Sequence, residues 1–370
     1  MPEDATVTPH DHLPAGARSI DALDTPAVLI DLDRVEANIA TAQAYADRHG
    51  LALRPHVKTH KLPALAHRQL AAGAVGITAQ KISEALVMAH AGVDDILLTF
   101  PIVGAAKVEP LAQLARATRR LAVMLDNQTA LEHVARAAAS AATTIEIVIE
   151  FESGNRRTGV MRPEQARALA RAVDAADGVA LRGLGTHPLG DGAAAWVREA
   201  RSLLAQDGIE APVFSGGGTP TMWQAHRCDG LNELRVGTYV YHDRATVGAG
   251  AATLDACALQ VLATVVSTPE RDRAVIDAGS KTLTSDRLAA AHGEGHGLVL
   301  AYPGALITSL SEEHGVLDLS ACEARPRVGD RLLVVPNHAC PVTNLDDHVV
   351  AQRGGRVEWI APVWARGATR

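Results

Sequence analysis

The sequence predicts an α/β chain: a (β/α)8 barrel of the TIM type, followed by a mostly antiparallel β domain. Two observations carry this. Eight short apolar, often β-branched runs alternate with Ala-rich amphipathic stretches up to about residue 245, and beyond that point strand-like runs follow one another without long helices between them. Strands separated by helices belong to a parallel sheet, whereas strands joined directly belong to hairpins.

In order, residues 1–24 read as a loose N-terminal arm. The run AVLIDLD (27–33) precedes the regular repeat and is one strand too many for the barrel, so it is assigned to the β domain. The eight barrel strands are LRPHVK (53–58), AVGITA (74–79), DILLTF (95–100), RLAVMLD (120–126), TIEIVIEF (144–151), LRGLGTH (181–187), PVFSGG (212–217) and LNELRVG (231–237). Between them, stretches such as KLPALAHRQLAAG and PEQARALARAVDAADG carry helical periodicity and end in Gly, the usual helix stop. The barrel is thus placed at 25–245. The β domain, 246–370, holds ALQVLATVVST, RAVIDAG, LVLAYPG, HGVLDLS, DRLLVVPNH and RVEWIAPVWAR.

With 47% apolar but only 3% aromatic residues, the core must be built from Ala, Val and Leu, which suits close helix-on-sheet packing. A net charge of −7 argues against nucleic acid or an anionic membrane as partner. No apolar run is long enough to span a bilayer, and the N-terminus is too polar for a secretory signal. Cys228, Cys257, Cys322 and Cys340 are widely spaced without a CxxC pair, as in a reduced cytoplasmic protein.

The first barrel strand carries the chemistry. Side chains alternate along LALRPHVKT, so Leu51, Leu53, Pro55 and Val57 face the helices while Arg54, His56 and Lys58 face the barrel interior. A buried cation is costly unless paired or functional. Lys58 closes the strand at the rim where barrel enzymes place their sites, and beside His56 and Lys61 its pKa should be lowered. An amine of that kind condenses with carbonyl compounds. After the seventh strand, SGGGTPT (215–221) offers successive backbone N–H groups and a short helix start, the usual phosphate cradle of a barrel. A reactive lysine and a phosphate cradle on one rim describe a site for pyridoxal phosphate.

The segments TPAVLIDLD, RPHVKTHK, ESGNRRTGV, SGGGTPT, ELRVGTYVYHD, DAGSKTLTSD, LSEEHG and VPNHACPVTNL, spread from about 25 to 350, give the chain its likeness. It resembles the D-serine dehydratase and D-threonine aldolase family, a branch of the alanine-racemase-like pyridoxal enzymes. The resemblance implies that Lys58 carries the cofactor, that Arg157 meets its phenolic oxygen, and that Gly217, Gly218 and Thr219 hold its phosphate. Tyr239 or Tyr241 lines the site or packs within a strand. His56 and His187 are the further catalytic candidates. Where many relatives have a Tyr, and aldolases a second His, shortly after the sixth-strand TH, this chain reads THPLGDG, leaving the contact to the ring nitrogen unassigned.

In VPNHACPV, His338 and Cys340 sit two apart and would point the same way on an extended segment. Alone, the pair also fits a buried Cys beside a surface His; the resemblance favours a divalent metal, zinc by its ligand type. His60, His67, His226, His242, His292, His296 and His314 are taken as ordinary surface or rim residues. The function implied is a lyase that dehydrates and deaminates a D-3-hydroxy amino acid to a 2-oxo acid and ammonia. Retro-aldol cleavage to glycine and an aldehyde is the nearest alternative, followed by racemisation and by non-enzymatic pyridoxal-phosphate carriage. A homodimer is implied by the family.

Overall fold

The computed structural model describes residues 19–370. Most of the expected arm, residues 1–18, lies outside them. Its end is not loose: a short 3-10 turn at Ile20–Ala22 hydrogen-bonds to Gly355, and Leu23 is buried with Leu29, Leu262 and Val350.

The chain divides into two compact units. One comprises Ile39–Lys58, Leu62–Gly237 and Ala368–Arg370; the other takes the described residues up to Asn38, then Thr59–Lys61 and Thr238–Gly367. The division therefore falls at 237/238 rather than at the expected 245, and the three residues after Lys58 belong with the β unit.

Strand β1 (Ala27–Asp31) precedes helix α1 (Leu32–Arg48). The barrel unit then holds β2 (Ala52–Leu53), α2 (Pro63–Ala71), β3 (Ile77–Ala79), α3 (Ile82–His90), β4 (Asp95–Leu98), α4 (Val108–Ala117) and β5 (Arg120–Leu125). It continues with α5 (Gln128–Ala141), β6 (Ile145–Glu150), α6 (Pro163–Asp174), β7 (Val179–Gly185), α7 (Ala193–Ala205), β8 (Val213–Gly216) and β9 (Glu233–Leu234). Its eight strands form one parallel sheet in the order β2-β9-β8-β7-β6-β5-β4-β3. A parallel bridge between His56 and Thr78 joins the two ends into a barrel. The interior is filled by side chains such as Leu97, Ala122, Met124 and Val148. A Cβ at Gly185 would lie 2.5 Å from Met124 Cε, so any larger residue there would oblige Met124 to shift.

Arg54 projects from the first strand into the barrel, only 1% exposed. Its Nε donates to Glu233 at 2.8 Å and its Nη1 to Asp95 at 2.6 Å, while Arg182 bridges Glu233 to Glu146. This buried cation is therefore fully paired. The strand itself is shorter than the alternation implies: it ends at Leu53, and Val57–Thr59 forms a 3-10 turn that carries Lys58. The prolyl residue at 55 supplies no N–H, so the ladder cannot run unbroken through this segment.

The second unit is a nine-stranded sheet. It contains β1, β10 (Leu259–Glu270), β11 (Arg273–Ile276), β12 (Leu298–Val299), β13 (Leu306–Leu310), β14 (Gly315–Asp318), β15 (Arg331–Val335), β16 (His348–Arg353) and β17 (Arg356–Pro362). Its pairings are antiparallel except β1 with β16. Strand β1 sits between β10 and β16, which is why its residues read as a buried strand outside the barrel repeat. Among the described residues, no helix is long and apolar enough to cross a membrane.

Candidate active site

At the C-terminal rim of the barrel, the turn that bears Lys58 is fixed by His56. The Lys58 backbone N–H donates to His56 Nδ1 at 3.3 Å, and His56 Nε2 lies 3.1 Å from Gln80 Oε1. Gln80 Nε2 donates in turn to the Thr99 carbonyl at 3.1 Å. These bonds assign the proton to Nε2. Burial, followed by the Lys58 ammonium, pushes the His56 pKa well below its usual value. With both nitrogens engaged and the neutral form enforced, His56 serves to position the Lys58 turn.

The glycine cradle follows β8. Gly217 has φ +113°, a conformation that disfavours L side chains, and a Cβ there would lie 2.6 Å from Leu234 Cδ1. At Gly218 a Cβ would come within 2.9 Å of His187 Cε1. A 3-10 helix, Thr219–Arg227, starts at once, and the Thr219 hydroxyl is buried without a hydrogen-bond partner. A buried orphan donor beside open glycine backbone at a helix start suits a phosphate. His187 Nδ1 meets the Gly217 carbonyl at 2.7 Å. Burial, against the pull of that carbonyl, lowers the His187 pKa to about 4, with Arg235, Lys58 and Arg157 acting in the same direction as burial.

Arg157 is exposed on the turn after β6, where Phe151 bridges Val160 and Arg156 adopts φ 50°. Its charge is felt by His187, Glu150 and Arg235 alike, which sets it at the same rim. Glu150 and Arg235 escaped the sequence reading. Arg235 is buried, with Nε donating to Ser215 Oγ at 2.9 Å and Nη2 to the Thr186 carbonyl at 2.7 Å. Glu150 is buried too, its pKa raised by desolvation. The signal was present: in LNELRVG the polar residues Glu233 and Arg235 alternate with apolar ones, the mark of an inward-facing pair.

In the β unit, His338 caps the short helix Ala339–Leu345, and Cys340 lies in its first turn, so the segment is not extended as expected. The two side chains are nevertheless hydrogen-bonded to each other. His338 Nδ1 lies 2.8 Å from Asp286 Oδ2, leaving Nε2 as the ligand nitrogen. Burial alone would lower the His338 pKa, but Cys340, Asp286 and buried Asp243 outweigh it and hold it at about 9. Cys340 Sγ is 3.2 Å from Thr59 Oγ1, the residue after Lys58, and 3.7 Å from Thr238 Oγ1. Imidazole and thiol, with a carboxylate orienting the imidazole, fit zinc. Among the described residues, no cluster of three or more His, Cys, Asp and Glu side chains that could hold a metal ion is present.

Tyr239 and Tyr241 are fully buried in the β unit, and the Tyr241 hydroxyl has no hydrogen-bond partner. Burial, then Cys340, drives its pKa up, so it stays a neutral donor. Of the histidines expected at the surface or rim, His60, His242 and His296 are buried. His67, His226, His292 and His314 are exposed.

An eight-stranded parallel barrel with a lysine after its first strand and a glycine cradle after its seventh, together with a separate antiparallel sheet, is the architecture of alanine-racemase-like enzymes. The chain belongs within that class to the D-serine dehydratase and D-threonine aldolase family of lyases: residues 30–245 match the alanine racemase N-terminal domain, and residues 258–351 match the serine dehydratase domain. It is 36% identical to the D-threonine aldolase of an Arthrobacter species, covering 97% of both chains. Identity to the D-threo-3-hydroxyaspartate dehydratase of a Delftia species is 35%, covering 86% of this chain and 91% of that protein. The crystal structure of D-threonine aldolase from Filomicrobium marinum superposes with a TM-score of 0.85 at 33% identity, covering 96% of this chain and 99% of that one. Solved structures of D-threo-3-hydroxyaspartate dehydratase, at 31–32% identity, include a mutant of a histidine and, two positions further on, a mutant of a cysteine in a metal-free form.

Proposed function

We propose that this chain is a pyridoxal-phosphate- and zinc-dependent lyase that eliminates water from a D-3-hydroxy amino acid, giving a 2-oxo acid and ammonia. The observation that carries the reading is the His338–Cys340 pair with Asp286 behind it, because its spacing matches the histidine and cysteine mutated in solved structures of D-threo-3-hydroxyaspartate dehydratase.

Pyridoxal phosphate, when bound, supplies an electron sink for the pair left at the substrate Cα. Lys58 would carry it, and Lys58 Nζ would take the Cα proton. Backbone N–H groups of Gly217, Gly218 and Thr219, with the Thr219 hydroxyl, would hold its phosphate, and Arg157 its phenolic oxygen. His187 fixes the cradle through Nδ1–H to the Gly217 carbonyl, and as a neutral imidazole it presents Nε2 as an acceptor. His338 and Cys340 would hold zinc, which would supply a Lewis acid for the departure of the β-oxygen as water. Tyr241 keeps its phenol proton and can donate it to an oxygen.

Retro-aldol cleavage is the second reading, favoured by the 36% identity to a D-threonine aldolase. That reaction needs a base at the β-hydroxyl. With a pKa near 4, His187 is a weak one, and THPLGDG carries no second histidine. Product analysis separates the two: a 2-oxo acid and ammonia support elimination, whereas glycine and an aldehyde without a 2-oxo acid overturn it.

A further inference from the structure

The barrel rim carries a pair of cations that the chemistry above does not use. Lys81 follows β3 and Lys107 ends the 3-10 turn Ala105–Lys107 before α4. Lys81 Nζ sits 3.4 Å from the centroid of the Phe100 ring and Lys107 Nζ 5.9 Å from the same centroid. Both are within cation–π range. Among the described residues, neither ammonium group has an ion pair or a hydrogen bond. The acids nearest in sequence are committed elsewhere: Glu84 accepts the Gln80 N–H at 2.7 Å, and Glu109 pairs with Arg116 and Ser140.

Two like charges gathered about one aromatic ring repel each other. Burial, then Lys107, lowers the pKa of Lys81. Each lysine also precedes a helix N-terminus, where the dipole disfavours a cation. A ring quadrupole does not neutralise two ammonium groups, but a carboxylate does. The location says which carboxylate. Lys81 follows Gln80, and Phe100 follows Thr99; Gln80 links Thr99 to His56, which fixes the Lys58 turn. The pair thus lies in the loops that follow β3 and β4, with Lys81 and the Phe100 ring directly after the residues whose bonds hold the Lys58 turn, at the end of the barrel where βα loops read substrate.

We infer that Lys81 and Lys107 bind the distal carboxylate of an acidic D-3-hydroxy amino acid, one with a second carboxylate on Cβ; the inference rests on the lyase reading above. Charge-assisted contacts of this kind are the stronger class of hydrogen bond. The test uses the holoprotein and its Lys81→Gln, Lys107→Gln and Lys81→Arg variants. Each is assayed on 3-hydroxy-D-aspartate and on neutral D-threonine, and the ratio of the two kcat/KM values is compared. In a second arm, D-aspartate and D-alanine, which lack the β-hydroxyl, are titrated while the cofactor absorption is followed. Loss of either charge should lower the acid-over-neutral ratio about tenfold and weaken D-aspartate more than D-alanine, and Lys81→Arg should restore most of both. An unchanged ratio, or equal loss on acidic and neutral ligands, overturns the assignment. Should the wild type turn over no D-3-hydroxy amino acid, the lyase reading fails, and the D-aspartate arm still decides the lysine pair.

Discussion

His187 donates its Nδ1 proton to the carbonyl of Gly217 across 2.7 Å, tying the loop after β7 to the glycine cradle after β8. The bond makes a prediction about pH. Burial takes His187 from an ordinary value of 6.5 to about 4, and His242 is lowered to about 4 by burial as well. The folded state holds both imidazoles neutral, while the unfolded chain binds their protons near 6.5. Stability from this source is therefore complete above 6.5 and is lost as pH falls toward 4. For His187, the drop from 6.5 to about 4 corresponds to on the order of 3 kcal/mol between its two protonation states. Urea midpoints should fall between pH 6.5 and 4.5, a window in which the raised His338 is protonated in the folded state and its contribution is nearly complete. The fall should be shallower in His187→Gln. A midpoint that rises on acidification from pH 6.5 to 4.5 would contradict the assignment.

Lys58 and Thr219 separate covalent attachment from phosphate affinity. Borohydride should fix the cofactor onto Lys58, and Lys58→Ala should lose both that label and at least about a hundredfold in turnover. Thr219→Val keeps the shape but removes the buried hydroxyl, so cofactor should still attach and dissociate about tenfold faster on dialysis, as befits one charge-assisted hydrogen bond. A label on Lys61 or Lys281 in the peptide map would remove Lys58 from its role.

Asp286 touches His338 but is not itself in the proposed ligand pair. Replacing a carboxylate that orients a metal-bound imidazole commonly costs about 10- to 100-fold in metal affinity. Asp286→Asn should weaken zinc by that factor in a competition titration, with borohydride labelling of Lys58 unchanged. His338→Ala and Cys340→Ala should lose the metal outright. If all three variants retain zinc as tightly as the wild type, the pair is not a metal centre.

Periodicity shows the repeat because each barrel strand is flanked by a helix whose apolar stripe must face it. Strand β1 stood out for the same reason, lacking the rhythm of the eight. What periodicity misses depends on partners far away in sequence. The alternation along 51–58 correctly turned Arg54 and His56 inward, but the strand stops at Leu53 and Lys58 rides a 3-10 turn. Arg235 was overlooked because what engages it comes from Ser215 and Thr186, on other strands. His60, His242 and His296 are buried by packing that no local pattern announces. Lys58 and the cradle are candidates read from chemistry and position, whereas His338 and Cys340 are candidates raised above an ordinary Cys and His only by family likeness.

The final prediction concerns Arg54. Its guanidinium is 1% exposed and is held by two carboxylates that are themselves buried, Glu233 at 2.8 Å and Asp95 at 2.6 Å. Gly76 is shaped around it, since a Cβ there would lie 2.4 Å from Arg54 Nη1. Removing the cation leaves Glu233 to Arg182 and Asp95 to the longer contacts with Arg119 and Arg120, and breaking a buried pair in this way costs up to about 3–5 kcal/mol. Arg54→Met should therefore lower barrel stability by that order, read from the urea midpoint. Adding Glu233→Gln and Asp95→Asn to Arg54→Met removes the excess negative charge and should recover part of the loss, because part of the cost lies in under-compensated ions rather than in missing attraction. Gly76→Ala should destabilise as well, because the added Cβ would displace Arg54 Nη1 and Asp95 Oδ1 from their contact. If Arg54→Met alone changes the midpoint by less than about 1 kcal/mol, the carboxylates have found other compensation, and the network is not what holds the first strand to its neighbours.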